Sequence, residues 1–287
     1  METMISLQGR YDLHVHASPS LARRKLTALE ALKLASDEGM GGFLLLDHTY
    51  NTVVVAQVLN ELGYGTKVFG TIMLNESVGS LNPSVVETAI QLGTKQIQMP
   101  TYSAQNHKEK YGDDQKIFPY QKKSKGISVV DQRGKLVSEV EEILQILKGS
   151  HSFLGTGHLS VAEIEVLVDR AKELNVSVLV NSVSTDMTYM PIEIQKKLAY
   201  DNVFMEHDYM ALTEIVHEKT PIESIVEQIR AVGAERCVIA TDAGQPIVPD
   251  LVTGLKDFIK RLLENGISEN ELDFMTRKNP RNLLGVS

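Results

Sequence analysis

Apolar runs and helical periods alternate along the whole chain. Eight short runs of aliphatic and β-branched residues predict strands, and segments with helical periodicity lie between them. Eight strand–helix units predict a parallel sheet, which closes into a (β/α)8 TIM barrel. An open doubly wound sheet is the competing fold, but it would usually carry a glycine-rich loop after its first strand, and HVHASPS is not one. The predicted strands span residues 11–16, 42–48, 67–74, 95–100, 152–158, 176–182, 203–207 and 237–242.

Residue types at the helix ends agree with these strands. Thr27 with Glu30, and Ser160 with Glu163, match the capping box, in which each side chain accepts from the other's free backbone N–H. Pro191 and Pro221 are predicted at first helical positions. Five glycines follow helical segments, where a left-handed cap is needed. They are Gly39, Gly63, Gly93, Gly149 and Gly233.

One connection is longer than the others. Residues 101–135 follow the fourth strand without strong periodicity, and loops of this length tend to be functional or disordered. The stretch SVVDQRGKLV within it predicts a small hairpin with Arg133 and Gly134 in the turn. Because such a loop lies on the active face of a barrel, we expect residues 101–135 to cover the site as a lid. Residues 1–287 are otherwise expected to form a single barrel domain.

Composition sets further limits. With 43% hydrophobic and 23% charged residues the chain should fold around a sizeable core. The net charge of -8 disfavours binding to nucleic acids or anionic membranes. No secretory signal or membrane-spanning run is visible, and the single Cys237 is expected to be buried and inert. We therefore expect a cytoplasmic protein without nucleic-acid or membrane partners.

Histidines and acids gather at the predicted strand ends. In RYDLHVH, residues 10–16, side chains alternate between faces, so Asp12, His14 and His16 should share one face. Other strands end at His48, His158, Glu206 with His207, and Asp242. Three imidazoles and one carboxylate form the ligand set expected of zinc or a similar divalent ion. That set would be His14, His16, His158 and Asp242.

Several of these residues have two interpretations. Asp12 could accept the second N–H of a metal-bound imidazole, or form a salt bridge at the barrel floor. Glu206 and His207 cannot both point inward, and Glu206 is favoured because it shares parity with Phe204. A single histidine at a strand end, such as His48, is more often a hydrogen-bonded core residue than a ligand.

The motifs resemble a known group. DLHVH, GTGHLS, IATDAG and NPRNLLG resemble the amidohydrolase superfamily of metal-dependent (β/α)8 hydrolases across the whole chain. DLHVHASPS, MLNESVGSLNPSVVETAIQLGTKQIQMPT, NH and TGHLS resemble, more closely, an uncharacterised amidohydrolase-like family of bacterial and archaeal cytosolic proteins. The resemblance implies that His14, His16 and His158 are metal ligands and that Asp242 is both a ligand and a proton shuttle.

The chain departs from the superfamily pattern on two strands. The fourth strand often carries a carboxylated lysine or a glutamate, but here it reads QIQMPT, which does not support a second bridged metal. The sixth strand reads LVNSVS where the pattern has histidine, with Asn181 or Ser182 at its end. An asparagine oxygen binds zinc weakly, so His48 or Glu206 is a candidate for this position.

The resemblance implies hydrolysis of an amide, ester, lactone, thioester or phosphoester with a divalent ion, zinc first and manganese or iron as alternatives. Asp242 would take a proton from the activated water and pass it to the leaving group, with His48, Glu206 or His207 steadying the developing charge. Six lysines between Lys108 and Lys125, interleaved with Tyr111 and Tyr120, suggest a small anionic substrate. Further candidate substrate contacts are Arg23, Arg24, His107, Lys108, Asn181 and His207.

Two other functions remain open. Some superfamily branches are mononuclear-metal decarboxylases or hydratases, which use the same ligands for a different reaction. A catalytically inactive barrel that binds a metal or a ligand is the third possibility, because function depends on the site and not on the fold. A homo-oligomer is a further expectation, and His151 and His217 are predicted to have surface or structural roles.

Overall fold

The eight predicted strands form one parallel sheet in sequence order. The computed structural model describes residues 5–112, 124–215 and 218–286. Each strand pairs in parallel with the next, and a parallel bridge between Val15 and Ala243 joins the last strand to the first. The predicted (β/α)8 barrel is thus confirmed. The strands are β1 (Tyr11–His16), β2 (Gly42–Leu46), β3 (Lys67–Met73), β4 (Gln96–Gln98), β5 (Phe153–Gly155), β6 (Val178–Val180), β7 (Val203–Asp208) and β8 (Cys237–Ala240).

Helices lie between the strands. They are α1 (Ala28–Asp37), α2 (Val53–Asn60), α3 (Pro83–Gln91), α4 (Gln105–Tyr111), α5 (Ser138–Leu147), α6 (Val161–Glu173), α7 (Ile192–Leu198), α8 (Ile222–Val232), α9 (Leu251–Glu264), α10 (Glu269–Asp273) and α11 (Asn279–Leu284). None of the helices in the described ranges is long and apolar enough to cross a membrane.

The predicted helix ends are largely confirmed. Both capping boxes are present, at the starts of α1 and α6. All five predicted cap glycines have positive φ, between 67° and 98°. The positions of Pro191 and Pro221 are wrong by one residue. Both prolines have ψ near 143–144°, which is extended, so they precede the first helical residue of α7 and α8.

Two apolar layers build the barrel. Alternate strand residues such as Phe43 and Leu45 pack outward against the helices in the large cluster. The intervening residues, such as Leu44 and Phe204, fill the barrel interior, which Leu284 of α11 also contacts. Alternate side chains of each strand thus point out of or into the barrel. Polar side chains at inward positions near the C-terminal ends of the strands reach the active face.

A β-bulge in β1 interrupts this alternation of inward and outward side chains. Asp12 pairs with Phe43 and Val15 pairs with Leu45, so two residues of β1 stand opposite one residue of β2. Asp12 therefore takes the outward parity of Phe43, and the prediction that it shares a face with the two histidines is wrong. Its carboxylate accepts from the Thr241 hydroxyl at 2.5 Å and from the backbone N–H groups of His14 and Thr241 at 3.1 Å.

The segment 101–135 contains more structure than predicted. Helix α4 lies within it, and an antiparallel bridge between Val130 and Leu136 with Gly134 at φ +72° confirms the small hairpin. The backbone N–H of Ile127 donates to the Ser103 carbonyl at 2.7 Å, which ties the second half of the segment to the residues after β4. Residues 113–123, with Tyr120 and three of the six lysines, lie outside the described residues.

Candidate metal centre

A cavity of about 530 Å³ opens at the C-terminal ends of the strands. Five histidines, two aspartates, three methionines and two isoleucines are among the residues that line it. The lining residues are His14, His16, Arg23, His48, Met73, Gln98, Thr101, His107, Tyr111, His158, Asp186, Met187, Met210, Ile215, Asp242, Gln245, Pro246 and Ile247.

Three ligand atoms converge at one place on its floor. The Nε2 atoms of His14 and His16 are each 3.4 Å from Oδ1 of Asp242. Two ligands about 2.1 Å from a tetrahedral ion are separated by about 3.4 Å, so these distances suit a shared ion. Three protein ligands with an open position are typical of catalytic zinc sites.

Hydrogen bonds on the far ring nitrogens orient both imidazoles. Nδ1 of His16 lies 3.2 Å from the Leu46 carbonyl, and when it donates to that oxygen Nε2 is left as the ligand. Nδ1 of His14 lies 3.2 Å from Oε2 of Glu206. A carboxylate in this position fixes the tautomer and raises the basicity of a ligating imidazole. Glu206 therefore takes the orienting position that the sequence had suggested for Asp12.

The chain after β8 is shaped to bring Asp242 to the cluster. Asp242 has φ +49°, a left-handed conformation that is unusual for a residue with a side chain and is characteristic of functional sites. Gly244 has φ +148°, and a Cβ there would lie 2.5 Å from Cβ and 2.6 Å from the carbonyl oxygen of His16. Only glycine allows β8 and β1 to approach this closely.

A layer of acids supports His14 from below. Glu206 points inward, as its parity with Phe204 predicted, and accepts from Nδ2 of Asn181 at 2.7 Å. Asp208 is fully buried, and its Oδ1 lies 3.8 Å from Nδ1 of His14. Sequence reasoning missed Asp208, although its i+2 spacing from Glu206 was a signal that it would share the inward face.

Within the described residues, several oxygens of this layer lack hydrogen-bond partners, namely Oε1 of Glu206 and both carboxylate oxygens of Asp208. Burial, then the charge of Glu206, raise the pKa of Asp208 well above its usual range. Burial alone would lower the pKa of His14, but Asp242 and Glu206 outweigh it and raise the pKa. The carboxylates of Asp242 and Glu206 therefore favour a positive charge on the His14 imidazole or on a group bound next to it.

Three further histidines form the polar side of the cavity. His48 stacks on His16 with ring centres 4.8 Å apart, and its Nδ1 lies 2.9 Å from the Thr101 hydroxyl. His107, on α4, stacks on His158, with the two Nδ1 atoms 3.0 Å apart. One nitrogen of that pair must donate and the other accept, so at least one ring is neutral there.

His158 does not join the three converging ligands. Among the described residues, the groups whose ligand atoms all lie within 4.8 Å of one another are His14 with His16 and Asp242, and His14 with Glu206 and Asp208. The structure therefore brings His158 to the cavity, where it faces His107, but not into the cluster.

The side chains of the site differ in protonation. Burial lowers the pKa of His16, His48 and His158 well below its usual range, and neighbouring cationic groups lower it further. Neutral imidazole is the form that binds a metal ion. Burial raises the pKa of Asp242, against the opposing charges of His14 and Arg24.

Four predicted substrate contacts lie away from the cavity lining. Nδ1 of His207 is 2.7 Å from the Ser184 hydroxyl on the outer side of β7, as expected from its parity opposite Glu206. Oδ1 of Asn181 accepts from the Gly157 N–H, so the amide is used beneath the site. Lys108 turns away and donates to Ser124, with Glu76 at 3.8 Å. Arg24 is buried behind His16, with Nη2 3.3 Å from Nδ1 of that ring.

The remaining predicted contacts, Arg23 and His107, line the cavity. The prediction of surface roles fits His151, which is exposed, whereas His217 lies outside the described residues. Nζ of Lys110 donates to the carbonyls of Asp186 and Met187. Of the positive side chains in the described residues, Arg23 is thus the one that lines the cavity directly.

Solved structures share this barrel. An amidohydrolase from Pseudomonas aeruginosa has 13% identity and a TM-score of 0.67, with 97% of each chain covered. An organophosphorus hydrolase mutant from Deinococcus radiodurans has 13% identity and a TM-score of 0.62, covering 98% of this chain and 94% of that one. 2,6-Dihydroxybenzoate decarboxylase from Rhizobium has 11% identity and a TM-score of 0.53, covering 97% and 99%.

At 11–13% identity these similarities show the fold, a barrel that this chain shares with an amidohydrolase, an organophosphorus hydrolase and a decarboxylase. The chain itself belongs to DUF6282, a family of unknown function whose model matches residues 9–206. A comparison with functionally curated proteins finds no significant match.

The donor set fits a divalent ion. Two imidazole nitrogens and one carboxylate oxygen suit zinc, and also manganese or iron. Among the described residues, buried oxygens of Glu206 and Asp208 without hydrogen-bond partners lie beside His14, and a bound cation would offset the cost of burying them. His14, His16 and Asp242 are therefore the residues that could hold it.

Proposed function

We propose that this protein is a metal-dependent hydrolase of a small anionic substrate with an amide, ester, lactone, thioester or phosphoester bond. The observation that carries the proposal is the convergence of His14 Nε2, His16 Nε2 and Asp242 Oδ1 on the floor of an open cavity. A bound divalent ion supplies Lewis acidity and a water molecule of lowered pKa in such a site.

The chain's own residues supply the proton transfer and the positioning. The Asp242 carboxylate reaches the cavity, where it can accept a proton from water and return it to the leaving group. Glu206 keeps His14 in the orientation that presents Nε2 to the cavity. Arg23 offers a guanidinium to an anionic group of the substrate, and His48, which stacks on His16 and lines the cavity, can donate to a developing negative charge.

The test compares Asp242→Asn with the wild type on a panel of anionic esters, amides, lactones, thioesters and phosphoesters, after loading with zinc, manganese or iron. We expect turnover by the wild type and at least a 100-fold loss of kcat in Asp242→Asn, because general acid–base catalysis contributes about 10²–10⁴. The matched control is Asp250→Asn in the same loop. Asp250 caps α9, and asparagine caps equally well, so activity should be kept.

Metal content gives an independent readout. The wild type should bind about one divalent ion per chain, measured by elemental analysis, and the double variant His14→Ala with His16→Ala should lose it. Full retention of the ion in the double variant would contradict the proposed site.

Decarboxylation is the second candidate. It is favoured by the match to 2,6-dihydroxybenzoate decarboxylase over nearly the full length of both chains. Release of carbon dioxide from aromatic carboxylic acids, with no turnover of the hydrolytic panel, would assign the site to that reaction instead. Binding of these acids without turnover under all three metals would indicate an inactive binding barrel.

A further inference from the structure

One side of the cavity is apolar. Met187, Met210, Ile215, Pro246 and Ile247 line it, and we call this set the apolar wall. These residues follow β6, β7 and β8, which are neighbours in the barrel, so they form one continuous side. The side chain of Ile247 is 78% exposed, an unusual state for a large apolar residue at the edge of a cavity. Exposed apolar surface of this kind marks a site of interaction.

The polar lining follows other strands. His48, His107 and His158 follow β2, β4 and β5, and Nδ1 of His107 lies 3.2 Å from Sδ of Met187, where the imidazoles meet the apolar wall. A ligand whose polar end meets the cluster would therefore have its remaining atoms divided between an imidazole side and an apolar side. Ligand sites commonly combine apolar walls with a few polar groups, in cavities of about 300–1,000 Å³, and the 530 Å³ measured here is in that range.

We propose that the apolar wall binds the acyl or aryl portion of the substrate, a chain of medium length, while its carboxyl or acyl end lies at the His14–His16–Asp242 cluster. The two methionines are unbranched and adaptable, so the wall should accept a range of chain lengths. This inference rests on the proposed function only in placing the polar end of the ligand at the cluster. The inference specifies that the substrate has an apolar portion. The proposed function specifies only that the substrate is anionic.

The test measures the binding of butyrate, hexanoate and octanoate to the zinc-loaded full chain by isothermal titration calorimetry. Each methylene buried against the wall should tighten binding about fourfold. Because some methylenes will remain partly exposed, we expect octanoate to bind at least tenfold more tightly than butyrate. A smaller ratio would overturn the proposal.

Two variants locate the effect on the wall. Ile215→Ser and Ile247→Ser should each weaken octanoate binding at least threefold and leave butyrate binding unchanged. Ile247 is exposed, so its replacement should not disturb folding, which thermal melting would verify. The matched control is Val58→Ser on α2, where another exposed apolar side chain, 62% accessible, lies outside the cavity. If Ile247→Ser binds octanoate as Val58→Ser does, the wall is not the binding surface.

The outcome separates this inference from the proposed function. Chain-length-dependent binding without turnover of any panel substrate would contradict the hydrolase and keep the apolar wall. Turnover of short and long acyl substrates with equal KM would support the hydrolase and contradict the wall.

Discussion

At the scale of single residues, the site depends on close approaches that particular side chains would prevent. The left-handed Asp242 and the adjoining Gly244 let the chain after β8 lie against the backbone of His16. The N–H of His16 donates to the Ala243 carbonyl at 2.7 Å, which fixes the two strand ends in register. The position of the His16 imidazole is therefore set partly by a glycine in the chain after β8.

We predict that Gly244→Ala weakens zinc binding at least tenfold, because the new Cβ would displace the backbone of His16. The free energy of unfolding should fall by about 2 kcal/mol or more, because a side chain added to a close-packed site forces the neighbouring backbone to move. Zinc titration and urea denaturation would measure both effects.

Gly63→Ala is the control for Gly244→Ala. Gly63 also has positive φ, +76°, but no atom lies within 4 Å of the Cβ that would be added. It should lose about 1–2 kcal/mol through backbone strain alone and bind zinc as the wild type does. Equal zinc affinity in the two variants would show that the contact with His16 is not important.

At the scale of elements, Glu163 links the capping of α6 to the long segment after β4. Its Oε2 accepts from the N–H and hydroxyl of Ser160, which is the capping box. Its Oε1 accepts from the Ser128 hydroxyl at 2.7 Å and from the Val129 N–H at 3.1 Å. One carboxylate therefore fixes a helix and part of the segment 101–135.

Glu163→Ala should lower the free energy of unfolding by about 2 kcal/mol, because it removes both a cap and the partner of a buried N–H. Hydrogen exchange at Val129 should become faster. Glu30→Ala is the matched control, since Glu30 completes the other capping box, is exposed, and within the described residues has its side-chain hydrogen bonds to Thr27. Its cost should be about 1 kcal/mol or less. Unchanged exchange at Val129 in Glu163→Ala would argue against the link.

The elements also show what the sequence could predict. All eight strands, two capping boxes and the inward position of Glu206 followed from local periodicity. The bulge in β1 did not, because it depends on pairing with β2, and it moved Asp12 outward. Helix α4 is short and polar, QNHKEKY, and lacks an apolar period that would reveal it.

The candidate site was likewise predictable from the sequence only in part. The convergence of His14, His16 and Asp242 was predictable because barrel topology gathers the C-terminal strand ends. The pairing of His107 with His158 was not, since it depends on where the loop after β4 folds back. The predicted role of His207 conflicted with the parity of β7, which places that ring outside the barrel.

At the scale of the whole molecule, the two ends of the barrel differ in character. The C-terminal end carries the histidine cluster and buried acids, some of whose oxygens lack hydrogen-bond partners among the described residues. Near the start of β1, Arg10 donates to the Thr276 hydroxyl and pairs with Glu269, so the C-terminal segment is fastened to the first strand. Leu283 and Leu284 add apolar contacts to the barrel interior. Such a division between a reactive and a stabilising end is usual in this fold.

Between the sheet and the helices, a buried histidine makes the stability of the whole molecule sensitive to acid. Nδ1–H of His207 donates to the Ser184 oxygen, and the Ser184 hydroxyl donates to Gln228. Among the described residues, Nε2 has no hydrogen-bond partner, and burial lowers the pKa of His207 to about 3. The unfolded chain has the ordinary value of about 6.5. The folded state therefore binds one proton fewer between these pH values.

The sign follows from the depressed pKa. The contribution of neutral His207 to stability is complete above about pH 6.5 and is lost as pH falls toward 3, by about 1.4 kcal/mol per pH unit. Urea denaturation at pH 6.5, 5.5 and 4.5, with a chelator in every sample, should show a wild-type slope steeper than that of His207→Gln by about this amount. His151→Gln should keep the wild-type slope, because His151 is exposed in the folded chain. Parallel slopes for the wild type and His207→Gln would mean that protonation of this ring does not limit folding in acid.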